Sequence, residues 1–108
     1  MILLIDDQRN LKADIVARNG ETGIAILTAF KIDALLLDHD LGEGMNGYDV
    51  VCFLEERTNL LPNTVELVTS NPVGRARMAQ VLSKLYPYSM GGTIFSKEPI
   101  KPKENPFG

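Results

Sequence analysis

Polar side chains follow four short apolar runs of this sequence, at the point where each run ends. Asp6-Asp7 follows the first run, Asp38-His39-Asp40 the second, Thr69-Ser70-Asn71 the third and Lys97 the last. Carboxylates, hydroxyls, an amide and an ammonium are the groups that bind divalent cations and phosphate in proteins. The pattern therefore indicates a site for a metal ion and a phosphate, provided that the fold brings the four run ends together.

The carboxylates are the candidate metal ligands. Several carboxylates in one cleft repel one another, and a hard cation removes that conflict. Mg²⁺ typically takes one or two carboxylates, keeps several waters and shares its other positions with substrate phosphate. We therefore predict that Mg²⁺ or Mn²⁺ binds here, with Asp6, Asp7, Asp38 and Asp40 as ligands.

The candidate phosphate-binding residues lie mainly in the second half of the chain. They are Thr69, Ser70, Asn71, Arg75 and Lys97. Backbone N–H groups of the helix that opens after Pro72 would add positive potential, and Arg75 lies in its first turns. Asp, Asn, Ser and Thr are also ordinary turn and capping residues at strand–helix junctions, which is the alternative interpretation.

His39 is the single histidine and stands between two aspartates. Imidazole changes charge near neutral pH, so His39 is a candidate general acid or base beside the metal. The alternative is a structural histidine that bonds to the backbone. If the preceding strand continues this far, side-chain alternation places Asp38 and Asp40 on one side and His39 on the other.

Hydrophobic patterning predicts the elements that position these residues. Buried strands are predicted at Ile2–Ile5, Ile15–Ala17, Ala34–Leu37, Val65–Val68 and Thr93–Ser96, and helices at Glu21–Lys31, Tyr48–Arg57 and Gly74–Tyr86. Strands that alternate with helices predict an α/β fold with a mostly parallel, five-stranded sheet. Ligands bind outside the carboxyl ends of such strands, so all four polar groups are expected at one rim.

Two parts of the chain are too short or too rich in proline for the usual helices. Only residues 8–14 separate the first two strands, whereas a parallel crossover generally needs a dozen or more residues. The first crossover helix is therefore expected to be reduced. Pro87–Gly92 is predicted as a loop, and the tail from Pro99 to Gly108 contains three prolines. We predict one domain over residues 1–98, followed by a tail at 99–108 without a final helix.

Length, charge and cysteine content restrict the function classes. A chain of 108 residues is the size of one domain, and its formal net charge of −3 argues against an extended nucleic-acid or membrane-binding surface. All seven aspartates lie in the first 50 residues. Cys52 is the single cysteine, and no apolar run is long enough to form a signal peptide or span a bilayer. A cytoplasmic location is expected.

The acidic pair Asp6-Asp7, the strand-terminal Asp38, the hydroxyl at Thr69 or Ser70, and Lys97 resemble the signature of receiver domains of two-component systems. The resemblance implies a three-layer, flavodoxin-like fold. It also implies that the aspartates hold Mg²⁺, that Asp38 accepts a phosphoryl group, and that Thr69 and Lys97 contact the phosphoryl oxygens.

A divergent branch, the cyclic-phosphate processing receiver domains, is more similar still. The similarity is carried by four segments: Asp6–Arg9, Leu37–Gly42, Gly47–Val50 and Ser70–Met78. Val68 stands where that branch is expected to have a histidine. Membership implies metal-dependent processing of cyclic phosphate, such as the 2′,3′-cyclic ends of RNA.

Three functions stay open on the sequence. The first is a metal-dependent phosphoesterase of the cyclic phosphodiesterase type, acting on a phosphate-containing small molecule or an RNA terminus. The second is a non-catalytic interaction module with a protein partner, and the third is a phosphorelay receiver that is phosphorylated on Asp38.

Overall fold

The computed structural model describes residues 1–101 and contains six strands and three α-helices. In chain order they are β1 (Ile2–Ile5), β2 (Ile15–Ala17), α1 (Gly20–Ala29), β3 (Ala34–Leu37), α2 (Gly47–Glu56), β4 (Thr64–Leu67), α3 (Pro72–Leu85), β5 (Tyr88–Met90) and β6 (Ile94–Ser96), with a 3₁₀ turn at Thr58–Leu60. Within this part of the chain no helix is both long and apolar enough to cross a membrane.

The strands form one mostly parallel sheet in the order β2-β1-β3-β4-β6-β5. The first four strands are parallel to their neighbours, while β6 runs antiparallel to both β4 and β5. The predicted α/β, receiver-like fold is confirmed. The sheet has six strands where five were predicted.

The hydrophobic core lies on one face of the sheet. Leu3, Leu35, Val65 and Phe95 pair across neighbouring strands, and each is 0% exposed. Against them pack buried residues of all three helices: Leu27, Val50, Val51, Leu54, Met78, Val81 and Leu82. Each such side chain contributes about 1.5–3 kcal/mol by leaving water.

Within residues 1–101 no helix lies between β1 and β2 or after β6, in agreement with the prediction of a reduced and an absent helix. On the opposite face of the sheet Ile2, Val16 and Met90 are each more than a third exposed, whereas Leu4 is 0% exposed. Most of the predicted tail, residues 102–108, lies outside the described residues, so the division into a domain at 1–98 and a tail at 99–108 stays a prediction.

An asparagine caps the N-terminus of each helix. Asn19 Oδ1 accepts a hydrogen bond from the Thr22 amide, and Asn71 Oδ1 accepts one from the Gly74 amide. Asn46 forms a reciprocal capping box with Asp49. Such caps satisfy amides that have no partner within the helix and contribute about 1 kcal/mol each. The caps of α2 and α3 fix where these helices begin, directly after the loops that follow β3 and β4.

The connection between β1 and β2 contains no helix, as predicted, and is held by an arginine. Arg18 Nη1 donates to the carbonyl oxygens of Asp6 at 3.3 Å and Arg9 at 2.7 Å, while Nη2 contacts the side chain of Asn10. One guanidinium thus ties down three residues of the loop. This clamp supplies the backbone partners that a crossover helix would otherwise provide internally.

The prediction of a loop over residues 87–92 is wrong, because these residues form β5 and the turn of a β-hairpin. Gly91 and Gly92 both have positive φ, at 62° and 66°, and the Thr93 amide donates to the Met90 carbonyl. Consecutive residues with positive φ favour tight hairpin turns. The hairpin reverses the chain before β6, so β6 runs opposite to β4.

Tyr86, directly after α3, belongs to the hydrophobic core. Its side chain is buried, its hydroxyl donates to the Pro62 carbonyl at 2.7 Å, and burial raises the pKa of that hydroxyl.

In Tyr86→Phe the Pro62 carbonyl loses its partner, so we expect a loss of about 1–2 kcal/mol in the free energy of unfolding. Urea denaturation measures this, and a variant as stable as the wild type would show that water replaces the bond.

Candidate functional site

Three aspartates meet at the carboxyl ends of β1 and β3. Asp6 and Asp7 follow β1, Asp38 follows β3, and the two strands are parallel neighbours in register. One carboxylate oxygen from each residue lies within 4.8 Å of the others. The sequence predicted this meeting, because parallel strands bring their carboxyl ends to the same edge.

Asp6 is the most constrained member of this acidic cluster. Its side chain is 1% exposed, and its Oδ1 accepts hydrogen bonds from the Gln8 and Arg9 amides at 3.0 and 2.9 Å. Its Oδ2 is buried without a hydrogen-bond partner. A buried carboxylate oxygen without a hydrogen bond is costly, and a bound cation would remove that cost.

The cluster opens into a shallow cavity of about 220 Å³. Its walls are formed by Asp6, Asp7, Gln8, Arg9, Asp38, Asp40 and Ser70. Asp38 is 8% exposed, and its Oδ1 accepts a hydrogen bond from the His39 amide at 2.8 Å. Three close carboxylates, one with an unpartnered oxygen, form the hard oxygen donor set that Mg²⁺ or Mn²⁺ requires. The residues present fit such an ion.

Asp40 lies on the cavity wall but outside the three-aspartate cluster. Its Oδ1 contacts His39 Nδ1 at 2.9 Å and Asn71 Nδ2 at 3.3 Å. These bonds, first that of His39 and then that of Asn71, hold the pKa of the Asp40 carboxyl below its usual value of 3.8. Asp38 and Asp40 both line the cavity, but the three carboxylates that come within 4.8 Å of one another are those of Asp6, Asp7 and Asp38.

His39 is packed against α3 and does not line the cavity. A Cβ on Gly74 would lie 2.4 Å from His39 Cγ, so the imidazole rests directly on the backbone of the first turn. Nδ1 contacts Asp40, and Nε2 is buried without a partner. The structure therefore places His39 as a link between Asp40 and α3, and it does not aim the imidazole at the acidic cluster.

The residues that follow β4 divide between the cavity and the helix start. Ser70 is exposed and lines the cavity. Thr69 is buried, and its Oγ1 accepts a hydrogen bond from the Asn71 amide. Asn71 caps α3 and donates to Asp40. Of the three predicted phosphate contacts that follow β4, only Ser70 lines the cavity.

Lys97 lies at the opposite end of the sheet, so its predicted position beside the aspartates is wrong. Ser96 pairs with Thr64 at the start of β4, and the Lys97 amide donates to the Asn63 carbonyl. Lys97 Nζ donates to the Leu61 carbonyl at 2.8 Å. The cause is the hairpin after β5, which reverses β6 and delivers its last residue to the end where β4 begins.

Arg75 lies in the first turns of α3 and is half-buried. It does not belong to the residues that line the cavity. The predicted joint placement of Arg75 and Lys97 at the acidic rim is therefore not found within residues 1–101.

Comparison with known proteins assigns the chain to a protein family. The sequence profile of the cyclic-phosphate processing receiver domain matches residues 1–84. This chain belongs to the cyclic-phosphate processing receiver family. The family resemblance read from the sequence is thereby confirmed, and the matched range includes the acidic cluster and nearly all of α3.

Solved structures with low sequence identity to this chain share its fold. A chain described as a yeast Spc42 trimeric coiled-coil segment fused to another structure is similar with a TM-score of 0.59 and 21% identity. The match covers 74% of this chain and 61% of that chain. Among curated proteins none matches this chain. At this identity the structural likeness concerns the fold alone.

Lys97 offers a direct test of how this receiver differs from the general receiver pattern. In Lys97→Gln we expect unchanged affinity for Mn²⁺ and inorganic phosphate, because the ammonium is at the far end of the sheet. The lost bond to the Leu61 carbonyl should cost about 0.5–1.5 kcal/mol in the free energy of unfolding. Calorimetric titration and urea denaturation measure the two quantities. A large loss of phosphate affinity would contradict the antiparallel placement of β6.

Two arginines of the receiver's site were missed as site residues by sequence reasoning. Arg9 lines the cavity with Nη1 at 3.9 Å from Asp6 Oδ2, and Arg18 holds the loop that carries it. A basic residue three positions after the first aspartate was the available signal for Arg9. No local pattern reveals Arg18, since its contacts depend on how the shortened crossover folds back.

Proposed function

We propose that this receiver domain is a metal-dependent phosphoesterase that opens cyclic phosphates, such as 2′,3′-cyclic RNA ends. The observation that carries the proposal is the buried, unpartnered Oδ2 of Asp6 beside the carboxylates of Asp7 and Asp38. Membership of the cyclic-phosphate processing receiver family supports the substrate class. The shallow cavity suits a terminal phosphate, and the net charge of −3 suits a substrate held by one local site.

Four of the cavity residues have a direct role in this reaction. Asp6, Asp7 and Asp38 would hold Mg²⁺ or Mn²⁺, and a bound ion polarises a phosphoryl oxygen and activates water. The Ser70 hydroxyl donates a hydrogen bond to a phosphoryl oxygen. In the overall hydrolysis water adds to phosphorus, one ring P–O bond breaks, and the leaving oxygen takes a proton.

His39 acts in this proposal by holding Asp40 in place. Its Nδ1 faces Asp40 and its Nε2 is buried, so neither nitrogen reaches the cavity as a proton donor. Asp40 is a carboxylate at neutral pH, since its pKa lies below the usual value of 3.8, and it adds a negative charge to the cavity wall. The proton for the leaving oxygen then comes from water, to which the shallow cavity is open.

The substitution Asp38→Asn tests the proposed activity. Adenosine 2′,3′-cyclic monophosphate is incubated with the wild type and Mg²⁺ or Mn²⁺, and the product is followed by ³¹P NMR. We expect turnover to fall by about 100-fold or more in Asp38→Asn, since metal-based charge stabilisation is worth several kcal/mol. Glu43→Gln is the control, because Glu43 is exposed and does not line the cavity.

Unchanged turnover in Asp38→Asn would remove Asp38 from the mechanism. A wild type that binds the metal but turns over no cyclic phosphate would favour the interaction module. Mass gain from acetyl phosphate that is abolished in Asp38→Asn would favour the phosphorelay receiver. The positions of Thr69 and Lys97 argue against that last function, because neither residue presents its side chain to the cavity.

A further inference from the structure

Among residues 1–101, one basic residue lines the acidic cavity, and that residue is Arg9. The other charged residues on the wall are four aspartates: Asp6, Asp7, Asp38 and Asp40. A divalent cation offsets only part of this charge, and an anionic phosphate must still approach the remainder. A fixed cation at the cavity is therefore needed if phosphate binds here, and Lys97 lies too far away to supply it.

The backbone of Arg9 is held from two sides. Its amide donates to Asp6 Oδ1 at 2.9 Å, and its carbonyl accepts from Arg18 Nη1 at 2.7 Å. The residue is thus attached to one of the three carboxylates of the acidic cluster. Because the backbone of Arg9 is already held, ligand binding at its side chain costs no further ordering of the loop.

The guanidinium of Arg9 keeps its donors for a ligand. Its Nη1 is 3.9 Å from Asp6 Oδ2, which is an ion-pair distance and too long for a hydrogen bond. The side chain is 41% exposed at the mouth of the cavity, and the exposed Ser70 also lines that cavity. The planar guanidinium has five donors in a geometry that matches the non-bridging oxygens of a phosphate.

We infer that Arg9 is the residue that recognises the substrate phosphate, an inference that rests on the proposed function. Its guanidinium donates to the non-bridging oxygens of a cyclic phosphodiester, and Ser70 donates from the same cavity. Arg9 thereby takes the part that the general receiver pattern assigns to a lysine after the last strand. Arg18 holds the loop that positions it.

The competing explanation is that Arg9 only neutralises the acidic cluster. The two explanations predict opposite results for metal and phosphate. If Arg9 only neutralises charge, its removal raises the affinity for Mn²⁺ and leaves phosphate affinity unchanged at saturating metal. If Arg9 binds phosphate, its removal lowers phosphate affinity even when the metal site is saturated.

The experiment compares Arg9→Gln, Arg9→Lys and the control Lys12→Gln. Lys12 is exposed in the same loop and does not line the cavity, so its variant loses the same charge without touching the site. Titration calorimetry measures the affinity for Mn²⁺ alone and then for inorganic phosphate at saturating Mg²⁺, and steady-state kinetics give KM for the cyclic nucleotide. The main-chain bonds of Arg9 survive all substitutions, and thermal melting verifies the fold.

We expect Arg9→Gln to bind phosphate about 10- to 100-fold more weakly, as for the loss of a charge-assisted hydrogen bond, with KM raised similarly. Arg9→Lys should recover part of the affinity, and Lys12→Gln should match the wild type.

Phosphate affinity in Arg9→Gln within twofold of the wild type would overturn the inference. Loss of phosphate binding in Arg9→Gln without any turnover by the wild type would support the inference and contradict the proposed phosphoesterase. A wild type that binds metal but neither anion would overturn both.

Discussion

Asp6→Asn is expected to abolish most metal binding while leaving the metal-free protein folded. Asn retains an oxygen that can accept from the Gln8 and Arg9 amides, so the loop geometry survives. The substitution removes a buried charge within 4.8 Å of two other carboxylate ligand atoms. Because like charges at this distance repel, the metal-free variant should be at least as stable as the wild type.

The stabilisation by added Mn²⁺ should, in contrast, be much smaller in Asp6→Asn than in the wild type. A ligand at 100 times its Kd stabilises the wild type by about 2.7 kcal/mol, which raises the Tm of a domain this size by on the order of 10 °C. Even residues behind the direct ligands change metal affinity by 10- to 100-fold, so loss of a carboxylate from the cluster should cost about 100-fold or more. At the same Mn²⁺ concentration the variant then gains about 0.4 kcal/mol or less.

Thermal melting with and without Mn²⁺ measures both effects. Glu43→Gln, which removes an exposed carboxylate outside the cavity, should keep the full metal response. If Asp6→Asn responds to Mn²⁺ as the wild type does, Asp6 is not a ligand and its unpartnered oxygen has another cause. If the metal-free variant is much less stable, the carboxylate charge itself stabilises the loop through the two amides.

The sequence was sufficient to locate most of the secondary structure. The first three strands begin and end at the predicted residues, and the three helices differ from their predicted bounds by two residues at most. β1 and β3 are short apolar runs that end in acid, a pattern typical of strands buried in a parallel sheet. The acidic cluster followed directly, because it needed only the rule that parallel strands share an edge.

Strand direction was the part that local patterning could not supply. An apolar run at 94–96 has the same composition whichever way the strand runs, and its direction depends on the connection before it. Gly91-Gly92 was the available signal, since consecutive glycines favour a tight hairpin turn. Placing this hairpin would have moved Lys97 to the other end of the sheet.

The role of His39 depended on packing that no local pattern contains. The imidazole lies where it does because Gly74, 35 positions later, has no Cβ to exclude it. Similarly, Asp40 turns toward His39 and Asn71, and so leaves the cluster to the three other aspartates. Contacts between distant loops decided which of the predicted ligands meet.

Gly47→Ala is expected to cause a large loss of stability for the addition of a single methyl group. A Cβ at this position would lie 2.2 Å from the Asp38 carbonyl oxygen and 2.9 Å from His39 Cα. The Gly47 amide also donates to the His39 carbonyl at 2.8 Å, so the start of α2 is held directly against this backbone. Backbone cannot rotate away as a side chain can, and either α2 or the segment that carries Asp38 must move.

The magnitude follows from two opposing effects. Alanine is preferred over glycine within a helix by about 1 kcal/mol at most. Overpacking against a rigid neighbour costs about 1–3 kcal/mol and sometimes more, and here the neighbour is main chain. We expect a net loss of about 2 kcal/mol or more in the free energy of unfolding, together with weaker Mn²⁺ binding because Asp38 is displaced.

Gly42→Ala is the matched control at the other end of the same loop. Gly42 has a φ of 75°, but an added methyl group would have no atom within 4 Å of it, so alanine there meets only the strain of the left-handed region, about 1 kcal/mol. Urea denaturation should rank the variants as wild type, Gly42→Ala and Gly47→Ala in order of falling stability. Only Gly47→Ala should also lose Mn²⁺ affinity. Equal stability of the two variants would mean that α2 shifts freely, and that its contact with residues 38–39 does not hold the acidic cluster in place.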